Sequence, residues 1–411
     1  MKKILLTIID GLGDKPIPQL GNKTPLEAAK TPNLDFLAKN GICGLVKPFK
    51  FPKEKVPSSE GTHIALLGFI DYFLGRGVYE VAGIGMKLRK GEVALRGNFA
   101  TASRSLKVID RRAGRISETK LLVKALQGIK IDGVKFLIKK SYGHRAGLVL
   151  RGKNLSSKIS DGDPHKAGVR VKKILPLDKS KEAAFTADIL NKFLKKTYRI
   201  LNRHPFNKER IKKGLLPGNY LLIRGAGELK DIPAFRERFG FKACCIAGGA
   251  LYKGIAKILG MNLIKVRGAN GFANTDLKGK ILAAKKNLKK YDFIFLHIKA
   301  ADSLAEDGNF LGKKEFIEKI DKNLKPILNL KDTLIVVTAD HSTCSLLKRH
   351  CSELIPILVY PPKFCQAKLR RVYGNGKNGV KKFSEKNCKK ERLGIFEQLD
   401  LMPKILKLRT S

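Results

Sequence analysis

Five stretches of this chain end in residue types that could do chemistry together. Asp10 closes the apolar run Lys2–Ile9 and is followed by Gly11. Asp302 and Glu306 follow the run Asp292–Ile298 at spacing i, i+4, which puts both carboxylates on one helical face. Asp340-His341 follows Thr333–Thr338, and His350 comes shortly after. Carboxylate oxygens mixed with imidazoles suit Mn²⁺, Zn²⁺ or Mg²⁺. The fifth stretch is Pro57-Ser58-Ser59-Glu60-Gly61-Thr62-His63, where a serine just before a helix can act as a nucleophile on a bound anion. Each residue alone has a plainer reading: Asp10 as a turn residue, the serines as an N-cap. Several strand ends each finishing in a ligand type are harder to explain by turns.

The elements that must position these groups read as alternating strand and helix. Lys2–Ile9, Tyr220–Ile223, Leu263–Val266, Asp292–Ile298, Thr333–Thr338 and Ile355–Tyr360 are short apolar runs of the buried-strand kind. Thr24-Pro25-Leu26-Glu27 and Thr31-Pro32-Asn33 carry helix-start signals. Further helical patterns are Glu118–Leu126, Ala183–Phe193, Ala250–Leu259, Glu315–Leu328 and Leu401–Leu408. Alternation of this kind implies an α/β fold, a mainly parallel central sheet flanked by helices. In such sheets ligands gather beyond the carboxyl ends of the strands, where Asp10 sits.

Length and composition bound the rest. The 411 residues suggest two domains, and 43% hydrophobic content supports a real core. No apolar stretch reaches the ~18 residues of a membrane span, and the first run is too short for a signal-peptide core. Seven cysteines at irregular spacing, with Cys244-Cys245 adjacent and no CxxC pair, favour reduced thiols in a cytoplasmic protein. The formal charge is +47. The lysines are dispersed along the whole chain, which argues against a nucleic-acid groove and is compatible with attraction of a small anion. Gly374-Asn375-Gly376-Lys377-Asn378-Gly379 fits GxGxxG, but no strand precedes it, so it reads as a loop.

Beyond these patterns the chain resembles the archaeal-type cofactor-independent (2,3-bisphosphoglycerate-independent) phosphoglycerate mutases of the alkaline phosphatase superfamily. The resemblance is carried in order by Ile9-Asp10-Gly11-Leu12-Gly13-Asp14, Lys23-Thr24-Pro25-Leu26-Glu27, Gly75-Arg76-Gly77, Asn98-Phe99-Ala100-Thr101 and Asp110-Arg111-Arg112-Ala113-Gly114-Arg115. It continues through His144-Arg145, Asp163-Pro164-His165, Arg224-Gly225-Ala226-Gly227, Leu251-Tyr252-Lys253-Gly254, His297-Ile298-Lys299, Thr338-Ala339-Asp340-His341-Ser342-Thr343 and Phe383-Ser384-Glu385.

The resemblance implies an alkaline-phosphatase-like metal-binding core over residues 1–80 and 240–411, with an inserted smaller α/β domain at 81–239 for substrate binding and phosphotransfer. It implies interconversion of 2- and 3-phosphoglycerate in glycolysis and gluconeogenesis through a phosphoserine on Ser59. One metal would lie on Asp10, Ser59, Asp340 and His341, and the other on Asp302, Glu306 and His350. The ions expected are Mn²⁺ or Mg²⁺, with Zn²⁺ or Co²⁺ admissible. Arg111, Arg112, Arg115, His144, Arg145, Arg224, Lys253, His297 and Lys299 would hold substrate, with Asp110 and Lys253 as further catalytic groups. The partner implied is a small phosphorylated substrate, with no membrane, and a homo-oligomer is left open.

The chain departs from that family twice. Ser58-Ser59-Glu60 stands where the family usually has Gly, Ser, Asp, which makes Ser58 a minor rival nucleophile. Glu306 stands where the family has histidine, and an added oxygen ligand tilts the site toward harder ions. The rival functions are a metal-dependent phosphomonoesterase or another phosphomutase on the same scaffold, and a catalytically weak paralogue that binds polyanions.

Overall fold

The computed structural model describes residues 3–362, 380–389 and 391–410. The GxGxxG-like Gly374–Gly379 lies outside them. The chain divides into two compact units: residues 1–73, 233–249 and 259–411 form the larger, and residues 74–232 with 250–258 the smaller.

The larger unit is built on an eight-stranded sheet. Its order is Asn262–Leu263, Ala243–Ile246, Phe293–Ile298, Lys3–Ile9, Thr333–Thr338, Ile355–Tyr360, Ile42–Lys47 and Ile395–Glu397. Only Ile355–Tyr360 runs antiparallel to its neighbours; the other pairings are parallel. Lys3–Ile9 lies between Phe293–Ile298 and Thr333–Thr338, and beyond Lys3 every residue of it is buried. This explains its unbroken apolar sequence, since a strand covered on both faces has no solvent side. Ile9 stands opposite Ile298, and Ile8 opposite Thr338. The three strands therefore end together, which brings Asp10, Lys299 and Asp340 to one sheet edge.

Local chemistry sets the helices. Thr24 and Glu27 close a capping box in which Thr24 Oγ1 accepts from the Glu27 N–H at 3.1 Å. Phe310–Leu324 buries Lys313, Phe316, Ile317, Ile320 and Leu324, one helical stripe that contains a lysine. Gly11 has φ +68, and a Cβ there would stand 2.8 Å from the Asp302 Cα, so only glycine lets the Asp302 segment approach.

The smaller unit is built differently, on a sheet whose pairings are all antiparallel. Its central strand Val93–Ala102 is buried along its whole length and pairs with Arg145–Arg151 and Tyr220–Glu228. The helix Lys181–Arg203 lays Ala183, Ala187, Leu190, Leu194 and Leu201 on this unit, and Phe193 stacks on Phe136 at 4.2 Å. The strand expected to stop at Ile223 runs on to Glu228, because its pairing with Val93–Ala102 continues through the glycines.

Two glycine-bearing stretches explain why Ala250–Ile258 falls with the smaller unit. The stretch Gly75–Gly85 is a helix, Arg76–Gly83, and it packs on Ala250–Ile258. A Cβ on Gly254 would lie 1.7 Å from the Tyr79 carbonyl oxygen, and one on Gly83 1.8 Å from that of Ala250. The two backbones touch, and no side chain fits between them.

The cysteine expectation needs correction. Cys344 and Cys351 form a disulfide, with Cα atoms 5.9 Å apart. They sit diagonally in a two-stranded ribbon, Ser342–Cys344 with Arg349–Cys351. Irregular spacing along the chain concealed that pairing. Cys43, Cys244, Cys245 and Cys388 are buried and lie outside that disulfide.

Candidate active site

At the shared edge of the larger unit's sheet, Asp10, Asp340 and His341 bring ligand atoms within 4.8 Å of one another, and so do Asp302, His341 and His350. His341 Nε2 lies 3.1 Å from Asp340 Oδ2, 3.7 Å from Asp10 Oδ1 and 3.3 Å from Ser59 Oγ. His350 Nε2 is 3.4 Å from Asp302 Oδ1, and its ring stacks on His341 at 3.7 Å between centroids. Ser59 opens the helix Ser59–Leu66, where unpaired backbone N–H groups favour a bound anion, and it is buried.

The surroundings hold these groups in place. Lys299 Nζ donates to Asp302 Oδ2 at 2.8 Å and to Asp10 Oδ2 at 3.2 Å. Thr343 Oγ1 donates to Asp302 Oδ1 at 2.7 Å. His350 Nδ1 meets the Pro57 carbonyl at 2.8 Å, and His63 Nδ1 meets that of Ser59 at 2.7 Å.

The charge balance of the site suits cations. Burial, and then the Asp10 charge, push the Asp340 carboxyl up to about 7. Burial acts against ionisation of Asp10 and Asp302 too, but Lys299 holds both well below the usual carboxylate range. Burial, with His350 next to it, pulls His341 down to about 3, so its ring is neutral and able to ligate. Asp340 Oδ2 is buried and, though close to the His341 ring, accepts no well-aligned hydrogen bond among the described residues. Three buried carboxylates, neutral imidazole and a serine oxygen around shared points make the donor set of a divalent-metal centre.

The smaller unit carries a second concentration of charge. Arg76 Nε and Arg96 Nη1 both lie on Glu80 Oε1, at 3.3 and 3.4 Å. Arg96 is fully buried. Burial, then Arg76, Arg145 and Arg224, depress its guanidinium, with only Glu80 opposing. Arg111 grips the buried Asp163 with two bonds, Nε–Oδ1 3.1 Å and Nη2–Oδ2 2.6 Å. Arg224 Nη1 meets His165 Nδ1 at 3.1 Å. Burial and the charges of Arg145, Arg96, Arg112 and Arg111 pull His144 down to about 2. Arginines packed around so few carboxylates leave this unit with a local excess of positive charge.

The Metalloenzyme superfamily model matches residues 2–408. A "2,3-bisphosphoglycerate-independent phosphoglycerate mutase 1" of Methanocaldococcus jannaschii is 47% identical over 365 residues, 87% of this chain and 88% of that protein. A Methanococcus maripaludis protein named 2,3-bisphosphoglycerate-independent phosphoglycerate mutase is 43% identical over 411 residues, 99% of this chain and 98% of its own. The chain belongs to this family. Among solved structures, the cofactor-independent phosphoglycerate mutase of Thermoplasma acidophilum is 34% identical with TM-score 0.65, each chain covered in full. The PH0037 protein of Pyrococcus horikoshii is 30% identical with TM-score 0.81, covering 100% of this chain and 97% of that one. The expected alkaline-phosphatase-like class and the dependence on divalent metal stand on the superfamily match and the donor groups.

Against that family background, the structure brings together Asp10, Ser59, Asp302, Asp340, His341 and His350. Ser59, not Ser58, is the serine set beside His341. Glu306, on the helix Ala300–Glu306, is half-buried and stands outside both three-residue groups, though its charge reaches His350. His297, expected at substrate, is wholly buried with Nε2 3.2 Å from Asp10 Oδ2. Lys299 lies between Asp10 and Asp302. Asp110 Oδ1 accepts from the backbone N–H groups of Arg112 and Gly114, so it shapes the turn that carries the arginines. Arg115 is exposed, Arg112 and Arg145 are half-buried, and Lys253 is half-buried on Ala250–Ile258.

Sequence reasoning missed Arg76, Glu80, Arg96, His63, Asp14 and Lys313. The signal for Lys313 was available: a lysine on an apolar helical stripe. For Arg96 it was an arginine inside a run otherwise reading as strand.

Proposed function

We propose that this chain interconverts 2-phosphoglycerate and 3-phosphoglycerate without 2,3-bisphosphoglycerate, by way of a phosphoserine at Ser59. The observation that carries the reading is the placement of Ser59 Oγ, at a helix N-terminus and 3.3 Å from His341 Nε2, beside the two donor groups. Ser59 Oγ attacks phosphorus, the bond from phosphorus to the glycerate oxygen breaks, and that oxygen takes a proton. The other hydroxyl then gives up its proton and attacks the phosphoserine, and Ser59 Oγ leaves and regains the proton it lost in the first step. Between the two steps the glycerate must stay bound and water must stay out, or the outcome is hydrolysis.

Two divalent ions, when bound, lower the pKa of the serine hydroxyl and neutralise charge on the phosphoryl oxygens. Asp10, Asp340, His341 and Ser59 would hold one, and Asp302 and His350 the other, with Glu306 as the outer oxygen donor. The oxygen-rich set favours Mn²⁺ or Mg²⁺. Lys299 and His297 fix the direction of Asp10. The guanidinium groups of Arg111, Arg112, Arg145 and Arg224 would hold the substrate's carboxylate and phosphate, and the charge of the buried Arg96 adds to the positive field of Arg145 and Arg224. Asp110, through the carboxylate oxygen not used in its turn, and Lys253 would handle the proton of the second hydroxyl. A glycolytic substrate supports a cytoplasmic location. No helix among the described residues is long and apolar enough to cross a membrane.

An enolase-coupled assay from 3-phosphoglycerate, with and without Mn²⁺, tests the reading. Metal-dependent turnover lost in Ser59→Ala is expected. Free phosphate released without 2-phosphoglycerate would replace the mutase by a phosphomonoesterase.

A further inference from the structure

His350 reaches the metal centre from a short two-stranded ribbon. It sits at the middle of Arg349–Cys351, a three-residue strand that, among the described residues, pairs with Ser342–Cys344 alone. The first half of this ribbon is tied down well. The Thr343 N–H donates to the Gly13 carbonyl at 3.0 Å, and Lys313 Nζ donates to the Thr343 carbonyl at 3.0 Å. Asp14 accepts from both the N–H and the hydroxyl of Ser345 at the turn. The returning strand has its three ladder positions, the His350 contacts to the Pro57 carbonyl, Asp302 and the His341 ring, the Ser342 hydroxyl donating to the Glu353 carbonyl just beyond it, and the Cys344–Cys351 disulfide. A two-stranded hairpin of this length is marginal by itself in water. The disulfide joins the anchored strand directly to the residue next to His350, and both of its cysteines are buried.

We infer that the Cys344–Cys351 disulfide is a positioning device for His350, and that its reduction by a dithiol selectively weakens metal binding at Asp302 and His350. This rests on the metal-centre reading above. The reduction is a two-electron exchange. A dithiol thiolate attacks one sulfur of the pair, the Cys344–Cys351 bond breaks, and the second thiol of the reagent displaces the mixed disulfide. The reagent leaves as its own disulfide, and its two protons end on Cys344 and Cys351. With the ribbon unpinned, Asp302 keeps Lys299 and Thr343, but His350 loses its fixed distance from Asp302. The group formed by Asp10, Asp340 and His341 meets the returning strand through the His341–His350 ring stack, but His341 precedes the ribbon and keeps its own contacts to Asp340, Asp10 and Ser59. Loss of a partner that orients a metal ligand typically weakens metal binding about 10- to 100-fold.

The test begins with a thiol count on denatured protein purified without reductant. The disulfide predicts five reactive thiols, the seven cysteines of the chain less two. Mn²⁺ binding is then followed by calorimetry and by the spin-resonance signal of free Mn²⁺. The oxidised protein is compared with the same protein after dithiothreitol and with Cys344→Ser/Cys351→Ser. The expected result is two classes of site, one weakened about tenfold or more on reduction and restored by reoxidation, the other unchanged. Seven thiols would overturn the inference. So would identical isotherms, or equal weakening of both classes, which would mark a merely structural link. Reduction of the unaltered chain gives an answer even if the double variant fails to fold. Because the readout is Mn²⁺ binding, a chain that binds two ions but does not isomerise phosphoglycerate would defeat the proposed function and leave this inference standing.

Discussion

Lys313→Met tests whether the loops carrying the metal ligands are held by a buried ammonium. Lys313 is completely buried, and its Nζ donates to Asp14 Oδ2 at 2.9 Å, the Gly13 carbonyl at 3.0 Å and the Thr343 carbonyl at 3.0 Å. All three of its protons are used. Gly13 and Asp14 follow Asp10, and Thr343 follows His341, so one cation ties two ligand-bearing strand ends. Methionine keeps most of the volume but removes the charge and all three donors. Asp14 is then a buried carboxylate left with Ser345 and the Lys15 N–H. Breaking a buried pair in this way typically costs about 3–5 kcal/mol, because one charge remains uncompensated. Each orphaned carbonyl adds about 1–3 kcal/mol unless water reaches it. The lower figure, about 3 kcal/mol, is already a large share of a typical folding stability of about 5–15 kcal/mol.

The assay is urea unfolding of metal-free protein followed by far-ultraviolet circular dichroism, since the chain has no tryptophan. A cycle with Asp14→Asn isolates the pair. The double variant should be more stable than the sum of the two single losses predicts, by about 1–3 kcal/mol, because the uncompensated charge is gone. A loss below about 1 kcal/mol in Lys313→Met, or strict additivity, would refute the assigned role.

Three other perturbations follow from the same geometry. Arg96→Met should raise the KM for phosphoglycerate by about tenfold while leaving the thermal midpoint unchanged or higher, since it removes a buried charge crowded by Arg76, Arg145 and Arg224; a lower midpoint with unchanged KM would count against an anion-binding role. Burial raises the Glu385 carboxyl from 4.5 to about 7, so the folded state retains a proton that the unfolded chain has released. The stability it contributes is complete below pH 4.5 and is lost as pH rises through about 7, and Glu385→Gln should flatten that slope in denaturant titrations. Glu306→His should raise the preference for Zn²⁺ over Mn²⁺ by about tenfold in competition titrations, because imidazole suits Zn²⁺ better than a carboxylate does; an unchanged ratio would place Glu306 outside the coordination sphere.

What the sequence disclosed, and what it hid, divides along a physical line. Groups that end apolar strands were legible, because a buried parallel strand must stop at a polar turn. The parallel register then delivers Asp10 and Asp340 to one edge without further information. The supports of those groups were not legible by the same rule. Arg96 and Lys313 lie inside apolar patterns, where a charge looks like an interruption of the core. The disulfide was hidden because a diagonal contact across a short ribbon leaves no regular spacing. Glu306 reads as a ligand by its i, i+4 spacing from Asp302, yet the Asp302 group closes through His341 and His350 without it. Helical spacing brings two carboxylates to one face but does not fix how far each reaches. His341 would hold one ion and its ring stacks on His350, which would hold the other, so displacing His341 should disturb both metals at once, whereas displacing His350 should disturb chiefly its own.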